Sequence, residues 1–415
     1  MMRHEEEIPT KGAGGGGPVE PNKTNEEIRG EPYTLPQAFE WSLLDILDPI
    51  HQEELHQLLN QNYIDNEEDI VDKGIALSVR FQYSKEYLLW ALTPPGYTEE
   101  FLLGVRACSK NASNPKKLVA FVSAFPSNIK FHDTPRLDVV KINYLCVHKK
   151  LRSKRLAPVL IKEITRRANL LGIFQAVYTA EVVLPGPFAS VTNYYRPLHP
   201  TKLIDVGFLQ TNRRMTRSRM QKLFEVQGAT PTTHSFVEMT EEHVEGVHTL
   251  LVQYLTASSQ NFRIHANFTE HDIAHWLLPR SGVINTYVVV AADDKEEEEH
   301  NNSNKLTITD LVSFNHVPHA ILNNKHTNKD SAFVYVAYSY YNVATSMPLS
   351  ALMRDALILA KRNNVDIYQV LNIMENATFF DELKFEKSSG KNLQYYIYNW
   401  SGPTMTPSEI GLDPL

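Results

Sequence analysis

One segment, residues 141–167, constrains the fold of this chain more than any other. Residues 142–147 form an apolar run that is typical of a buried strand, and residues 149–155 are mostly basic. Apolar residues then recur at helical spacing after Pro158. Proline is tolerated in a first helical turn, because its missing N–H would have no partner there. The segment therefore predicts a strand, a basic turn and an amphipathic helix.

The basic turn has two interpretations. Free N–H groups at a helix start, the positive end of the helix dipole and Arg and Lys side chains together favour phosphate binding. Basic runs are nevertheless more often solvated surface or a nuclear-import signal. The flanking strand and helix favour a structured turn, because an import signal needs neither. The net charge of −7 argues against general nucleic-acid binding, so the run is a local feature.

Length and composition are those of an ordinary globular protein. The 415 residues, 42% hydrophobic and 21% charged, suffice for a large core and suggest two or three domains. Two cysteines, Cys108 and Cys146, cannot build a disulfide framework or a zinc site, which favours a reducing compartment. No apolar run reaches the ~20 residues of a membrane span, and the N-terminus lacks a secretory signal. We therefore expect a cytoplasmic protein without integral membrane association.

Patterning divides the chain into three parts. Residues 1–30 are charged, then glycine-rich, then polar, and are predicted to be a disordered leader. Within residues 31–224, a further apolar strand at residues 176–180 follows the predicted helix and completes a βαβ unit. In residues 225–415 a similar order of helix, strands, helix and strand returns. The predicted fold class is α/β, with mixed sheets in two halves.

Several literal motifs resemble one family closely. The layout of strand, turn and helix is similar to the acyl-CoA site of the GNAT acetyltransferases, although Arg155 and Leu156 stand where that superfamily has glycines. The string from residue 143 to 158 is more specific and resembles the signature of glycylpeptide N-tetradecanoyltransferases (N-myristoyltransferases). The other matching segments are residues 31–37, 62–63, 89–92, 94–96, 175–180, 337–343 and 392–396. The chain is identified as a divergent, plant-like member of this family.

The resemblance implies two fused GNAT-like halves about a pseudo-twofold axis, the first binding acyl-CoA and the second mostly the peptide. It implies transfer of a tetradecanoyl (myristoyl) group from its CoA thioester to the amine of an N-terminal glycine, on peptides or nascent proteins. Tetradecanoyl-CoA is then a co-substrate, and no cofactor, metal or covalent intermediate is expected. The expected enzyme is a monomer that binds no nucleic acid.

The resemblance also implies roles for individual residues. The C-terminal carboxylate of Leu415 is the expected base, because an ammonium with an ordinary pKa near ~8 must lose a proton before its nitrogen attacks. The amides of Tyr144 and Leu145 are expected to form an oxyanion hole, and Asn143 and Thr179 to guide the amine. Expected acyl-CoA contacts are Tyr144, Leu145, Cys146, Val147, Arg152, Ser153, Arg155, Leu156 and Ala157. Expected peptide contacts are Tyr63, Phe81, Tyr83, Thr179, Tyr195, Tyr338 and Leu393.

Departures from the family's motifs leave two hypotheses open. The family's Phe-Trp-x-Thr-Gln-Pro-Val segment is missing upstream, and Glu181 and Lys391 replace a glycine and an aspartate of the family's pattern. The first hypothesis is an enzyme, with reduced activity or altered peptide preference. The second is an inactive or weak paralogue that binds acyl-CoA or glycine-starting peptides. Core packing is the alternative for the aromatic residues, and a frayed chain end for Leu415.

Overall fold

The computed structural model describes residues 16–63, 70–72, 75–108, 116–226, 228, 230–231, 236–257, 261–291, 306–322 and 332–414. No helix in these ranges is both long enough and apolar enough to cross a membrane. The α-helices are α1 (Pro49–Asn62), α2 (Lys85–Leu92), α3 (Leu156–Leu170), α4 (Pro200–Asp205), α5 (Arg217–Leu223), α6 (Val244–Thr256), α7 (Glu270–Leu277) and α8 (Leu349–Arg362). Short 3₁₀ helices cover Glu99–Phe101, Lys149–Lys154, Glu241–His243, Asn376–Phe379 and Pro407–Glu409.

The strands alternate with these helices along the whole chain. In the first part they are β1 (Phe39–Leu43), β2 (Ile70–Asp72), β3 (Ile75–Phe81), β4 (Leu102–Ala107), β5 (Leu118–Phe131), β6 (Thr134–Val147), β7 (Ala176–Ala180), β8 (Ala189–Val191) and β9 (Asn193–Pro197). In the second part they are β10 (Phe236–Glu238), β11 (Ile264–Ala266), β12 (Ile284–Val290), β13 (Ile308–His316), β14 (His319–Leu322), β15 (Ala332–Val334), β16 (Val336–Ala344), β17 (Ile367–Leu371), β18 (Glu386–Lys387), β19 (Leu393–Tyr398) and β20 (Ile410–Gly411).

The two large sheets exchange strands between the halves of the chain. The first sheet has the order β1-β4-β5-β6-β7-β19-β8, and β11 and β20 extend it beside β5. The second has the order β10-β12-β13-β16-β17-β9-β18, and a small sheet joins β15-β14-β3-β2. Parallel and antiparallel pairs occur in both large sheets, so the predicted mixed α/β fold is confirmed. The predicted boundary at residue 225 does not separate the sheets, because β19 joins the first and β9 the second.

The central βαβ unit has the predicted order. Strand β6 is followed by the 3₁₀ helix, by α3 and by β7, which pairs parallel to β6. Helix α3 buries Leu156, Leu160, Ile164 and Ala168 against the first sheet, at the spacing of one helix face. Burial of each such leucine or isoleucine contributes about 1.5–3 kcal/mol. This packing fixes the start of α3 at the end of β6.

The N-terminal segment from residue 16 is part of the fold. The backbones of Gly17 and Ser401 exchange two hydrogen bonds, of 3.1 and 2.8 Å. The Arg166 guanidinium donates to the carbonyl oxygens of Gly30 and Arg29, at 3.1 and 3.3 Å. The predicted disordered leader of residues 1–30 is therefore too long, because residues 16–30 make specific contacts. Residues 1–15 lie outside the described residues.

One buried carboxylate joins this segment to α3. The side chain of Glu163 accepts hydrogen bonds from the Arg166 guanidinium at 2.7 and 3.0 Å, from Arg167 Nε at 3.0 Å and from the Tyr33 amide at 3.0 Å. Burial raises the pKa of Glu163, but the hydrogen bonds from Arg166 and Tyr33 outweigh it and hold that pKa below its usual value. The interactions of Glu163 therefore contribute fully to stability above the pKa that this carboxyl has in the unfolded chain. The contribution is lost as the pH falls through the lower pKa of the carboxyl in the folded protein.

We predict that Glu163→Gln lowers the free energy of unfolding at pH 7 by about 3–5 kcal/mol, because it leaves two arginines without their buried anion. Chemical denaturation of the full-length chain measures the change. Glu26→Gln, an exposed carboxylate in the N-terminal segment, is the matched control and is expected to change stability by less than about 0.5 kcal/mol. Equal effects of the two substitutions would contradict the role given to Glu163.

Candidate active site

A cavity opens where β6 and β7 separate. The two strands pair only at Val140 with Ala176 and at Lys141 with Val177, and they diverge beyond these residues. The space between them and α3 is a mostly apolar cavity of about 480 Å³. Its lining includes Tyr63, Ile142, Asn143, Tyr144, Leu145, Ile161, Ile164, Thr165, Ala168, Phe174, Tyr178, Thr179, Val182, Leu184 and Tyr398. An elongated apolar group fits such a cleft between a strand and a helix.

A β-bulge turns backbone groups of β6 out of the ladder beside this cavity. The register against β5 shifts between Phe121, which pairs with Cys146, and Ser123, which pairs with Asn143. The skipped residues are Tyr144 and Leu145, and Tyr144 has a left-handed φ of 54°. Bulge residues leave the regular ladder, and a non-glycine residue in this conformation costs about 1–2 kcal/mol.

Tyr144 packs beside Tyr63, and both residues line the cavity. Burial and, to a smaller extent, the nearby Cys146 raise the pKa of the Tyr63 hydroxyl to about 12, and the Tyr144 backbone acts in the opposite direction. The backbone of Tyr144 is therefore close to the Tyr63 hydroxyl at the cavity wall.

The basic turn is a defined structure next to the cavity. Residues Lys149–Lys154 form a 3₁₀ helix, Arg155 has a left-handed φ of 56°, and α3 begins at Leu156 without a side-chain cap. Asn62 tethers the turn: its Oδ1 accepts from the Lys149 amide at 3.1 Å, and its carbonyl oxygen accepts from the Arg152 guanidinium at 2.8 Å. An uncapped helix start beside exposed Arg and Ser side chains suits an anion. The turn thus brings together the predicted residues Arg152, Ser153, Arg155, Leu156 and Ala157.

Two predicted acyl-CoA residues lie apart from the cavity. Cys146 and Val147 have returned to the regular β5–β6 ladder, opposite Phe121 and Ala120, and neither lines the space between β6 and β7. The side chain of Cys146 is buried. Their expected role in acyl-CoA binding stays a prediction.

Residues 412–414, here called the chain end, lie beside the separated strands. Leu412, Asp413 and Pro414 line a small second cavity together with Lys141, Asn143, Val177, Tyr178, Thr179 and Tyr395. Tyr395 Oη donates to the Leu412 carbonyl oxygen at 2.9 Å. Asn143, Tyr178 and Thr179 line both cavities and so stand between them. Leu415 itself lies outside the described residues.

Four of the predicted peptide residues form one aromatic cluster. Ring centroids lie 6.1 Å apart for Tyr63 and Tyr83, 6.2 Å for Phe81 and Tyr83, and 6.4 Å for Phe81 and Tyr338. Tyr144 joins the cluster, 5.5 Å from Tyr63 and 5.6 Å from Tyr83. The cluster therefore contacts the bulge directly.

A neutral histidine completes the cluster. His319 Nε2 lies 2.8 Å from Tyr338 Oη, and its ring stands edge-on to Phe81 at 4.6 Å. Burial lowers the pKa of His319 to about 3. The ring is therefore uncharged at neutral pH, and it adds no charge to this wall.

Three predicted peptide residues lie outside the cluster. Tyr195 on β9 is two strands away from Tyr338 on β16, and Gln369 of β17 lies between them in the register. The Tyr195 hydroxyl donates to the Glu386 carboxylate at 2.9 Å. Leu393 pairs with Val191 at the start of β19. Thr179, predicted for both the amine and the peptide, lies between the two cavities instead.

Glu181 follows directly on β7 and is exposed. Partial desolvation by the surrounding protein nevertheless raises the pKa of its carboxyl, and the charge of Lys391 acts in the opposite direction. The charge of Glu181 also raises the pKa of Tyr338 and of Tyr63, so its carboxylate is near the aromatic cluster. Glu181 and Lys391, which both depart from the family's motifs, therefore lie near each other.

Sequence reasoning missed two residues of this site. Tyr87, on α2, stacks on Tyr83 with 5.4 Å between ring centroids. Lys141 precedes the predicted strand at residues 142–147, and it lines the second cavity. An aromatic residue on an amphipathic helix and a lysine at a strand start are common in any sequence, so neither carried a specific signal.

Comparison with known proteins agrees with this geometry. Residues 18–191 match the family model described as "Myristoyl-CoA:protein N-myristoyltransferase, N-terminal domain", and residues 205–412 match the corresponding C-terminal domain. The glycylpeptide N-tetradecanoyltransferase of Drosophila melanogaster is 43% identical over 394 residues, which are 95% of this chain and 76% of that protein. Glycylpeptide N-tetradecanoyltransferase 1 of Arabidopsis thaliana is 42% identical over 397 residues, 95% of this chain and 83% of that one.

A solved structure has the same fold. The N-myristoyltransferase of Saccharomyces cerevisiae with bound myristoyl-CoA superposes with a TM-score of 0.85 at 31% identity, over 98% of this chain and 91% of that chain. The chain belongs to the N-myristoyltransferase family, as the sequence motifs predicted.

Proposed function

We propose that this protein transfers a tetradecanoyl group from its CoA thioester to the amine of an N-terminal glycine. The observation that carries the proposal is the meeting of two cavities at Asn143 and Thr179, in a chain of this family. One cavity suits an apolar chain, and the other is lined by residues 412–414. Names of the relatives and the myristoyl-CoA in the yeast structure support the same reaction.

In the proposed complex the acyl chain occupies the cavity between β6 and β7, and the CoA phosphates lie at the turn before α3. The amides of Tyr144 and Leu145 then face the thioester carbonyl. Hydrogen bonds from such amides strengthen as the carbonyl oxygen becomes an anion, and loss of one typically costs ~10²–10³ in rate. The bulge and the uncapped helix start support these positions.

The peptide's ammonium is proposed to enter the second cavity, where the Leu415 carboxylate accepts its first proton. Asn143 and Thr179 orient the neutral amine toward the carbonyl carbon. The new C–N bond forms, the C–S bond breaks, and the CoA thiolate leaves with the second proton of the nitrogen. Residues 412–414 beside Asn143 and Thr179 support this role for the chain end.

The peptide is proposed to continue along Tyr63, Phe81, Tyr83, Tyr338, Leu393 and Tyr195. In this arrangement the first half of the chain binds acyl-CoA and the second half most of the peptide. We also propose a cytoplasmic, monomeric enzyme, since N-terminal glycines of nascent chains are exposed there. Two free thiols, Cys108 and Cys146, support a reducing compartment.

We predict that the full-length protein releases CoA thiol from tetradecanoyl-CoA in the presence of glycine-starting peptides. A variant that lacks Leu415 is expected to lose about 10² or more in kcat, because general-base catalysis contributes ~10²–10⁴. Its affinity for tetradecanoyl-CoA is expected to stay unchanged. Binding of tetradecanoyl-CoA without turnover on any peptide of a broad panel would instead identify a binding paralogue.

We also predict that Glu181→Gly raises kcat/KM for glycine-starting peptides severalfold. The substitution removes a side chain and a charge beside the aromatic cluster, where close approach of a peptide backbone favours glycine. Steady-state kinetics on one neutral peptide measure the change, with exposed Glu26→Gln as the control. An unchanged kcat/KM would mean that Glu181 does not obstruct the substrate.

A further inference from the structure

The second cavity contains one cationic and one anionic side chain. Among its lining residues Lys141 is the cation and Asp413 the anion, and the others are neutral. Lys141 and Asn143 are two residues apart on β6, so their side chains project from the same face. The lysine is therefore next to a residue that separates the two cavities.

Charges from several elements face Lys141. Burial lowers the pKa of Lys141 to about 8, and the charges of Asp413 on the chain end and of Asp272 on α7 act in the opposite direction. The ammonium also lies 5.7 Å from the ring centroid of Phe125 on β5. Lys141 also lines a third cavity, together with Asp272 and three other titratable residues: Asp138 of its own strand, His271 of α7 and Tyr340 of β16. In the second cavity the other titratable residues are Tyr395 of β19 and Tyr178 of β7.

Two tyrosine hydroxyls contact the backbone of residues 412–414. After β20 the residues 412–414 have no regular structure. Tyr395 Oη binds the Leu412 carbonyl oxygen at 2.9 Å, and Tyr341 Oη accepts from the Asp413 amide at 3.3 Å. Asp413 is only 6% exposed. A carboxylate taken out of water needs compensating charge, and Lys141 is the cation on the same cavity wall.

We propose that Lys141 is a positioning residue that holds the chain end, through Asp413, against Asn143 and Thr179. The inference rests on the proposed function, in which that chain end delivers the base. Displacement of a catalytic group by about 1 Å costs ~10²-fold in rate, so a charge that fixes residues 412–414 controls turnover. The lysine acts through the chain end and not on the substrate.

Four variants of the full-length protein test the proposal: Lys141→Met, Lys141→Arg, Asp413→Asn and the double variant Lys141→Met with Asp413→Asn. Lys141→Met is expected to lower kcat by about 10- to 100-fold with the KM for tetradecanoyl-CoA unchanged. Lys141→Arg is expected to restore most of the activity. The double variant is expected to be no slower than the slower single variant, because both changes break one interaction.

The pH profile gives a readout that a merely structural role would not move. In the unmodified protein kcat is expected to fall above pH about 8, where Lys141 loses its proton. Lys141→Arg is expected to remove this alkaline limb, because a guanidinium does not titrate there. A retained limb in Lys141→Arg would overturn the proposal.

A readout without turnover separates this inference from the proposed function. Hydrogen exchange of the backbone amides at residues 411–413 is expected to be faster in Lys141→Met than in the unmodified protein. The matched control is Lys130→Met, a half-buried lysine on β5 whose ammonium binds the Phe262 carbonyl oxygen, and it is expected to change neither exchange nor kcat. Unchanged exchange in Lys141→Met, additive effects in the double variant, or equal losses in Lys130→Met would overturn the role. An inactive unmodified protein with faster exchange in Lys141→Met would contradict the catalytic proposal alone.

Discussion

The separation of β6 from β7 after Lys141 is the constraint on which the rest of the site depends. Two parallel strands that stop pairing expose backbone groups and leave a gap through the sheet. On one side α3 closes the gap and leaves an apolar cavity; on the other the chain end lies in it. The bulge at Tyr144 lies in the same stretch of β6, directly after the point where β6 and β7 stop pairing. A fully paired sheet would offer neither cavity nor amide.

Strand exchange between the halves brings the distant parts of the chain to this gap. β19 pairs with β7, and β20 reaches the first sheet through β11, so residues 410–414 end beside a strand that is some 270 positions earlier in the sequence. β14 likewise pairs with β3, which places His319 and Tyr338 against Phe81. The two cavities and the aromatic cluster are therefore contiguous although no single half of the chain contains them.

Local patterns predicted much of this architecture. The strand, basic turn and helix, and the later strands and helices, follow from periodicity and turn chemistry within short windows. Contacts between distant segments could not be predicted from these patterns. Gly17 pairs with Ser401, for example, but nothing in the glycine-rich sequence around Gly17 indicates its partner. For the same reason Lys141 was not recognised: its neighbours Asp413 and Asp272 are far along the chain. Family motifs identified Tyr63, Phe81, Tyr83 and Tyr338. They did not show that Tyr195 lies apart from this cluster, because that separation depends on the order of the strands in the second sheet.

The central claim is that the gap between β6 and β7 holds the acyl thioester with its carbonyl at the bulge. A crystal structure with a non-hydrolysable tetradecanoyl-CoA analogue, in which a methylene separates sulfur from the carbonyl, tests this directly. The claim predicts the acyl chain between β6 and β7 and the carbonyl oxygen about 3 Å from the amide nitrogens of Tyr144 and Leu145. An acyl chain bound elsewhere, or a carbonyl turned away from both amides, would contradict it.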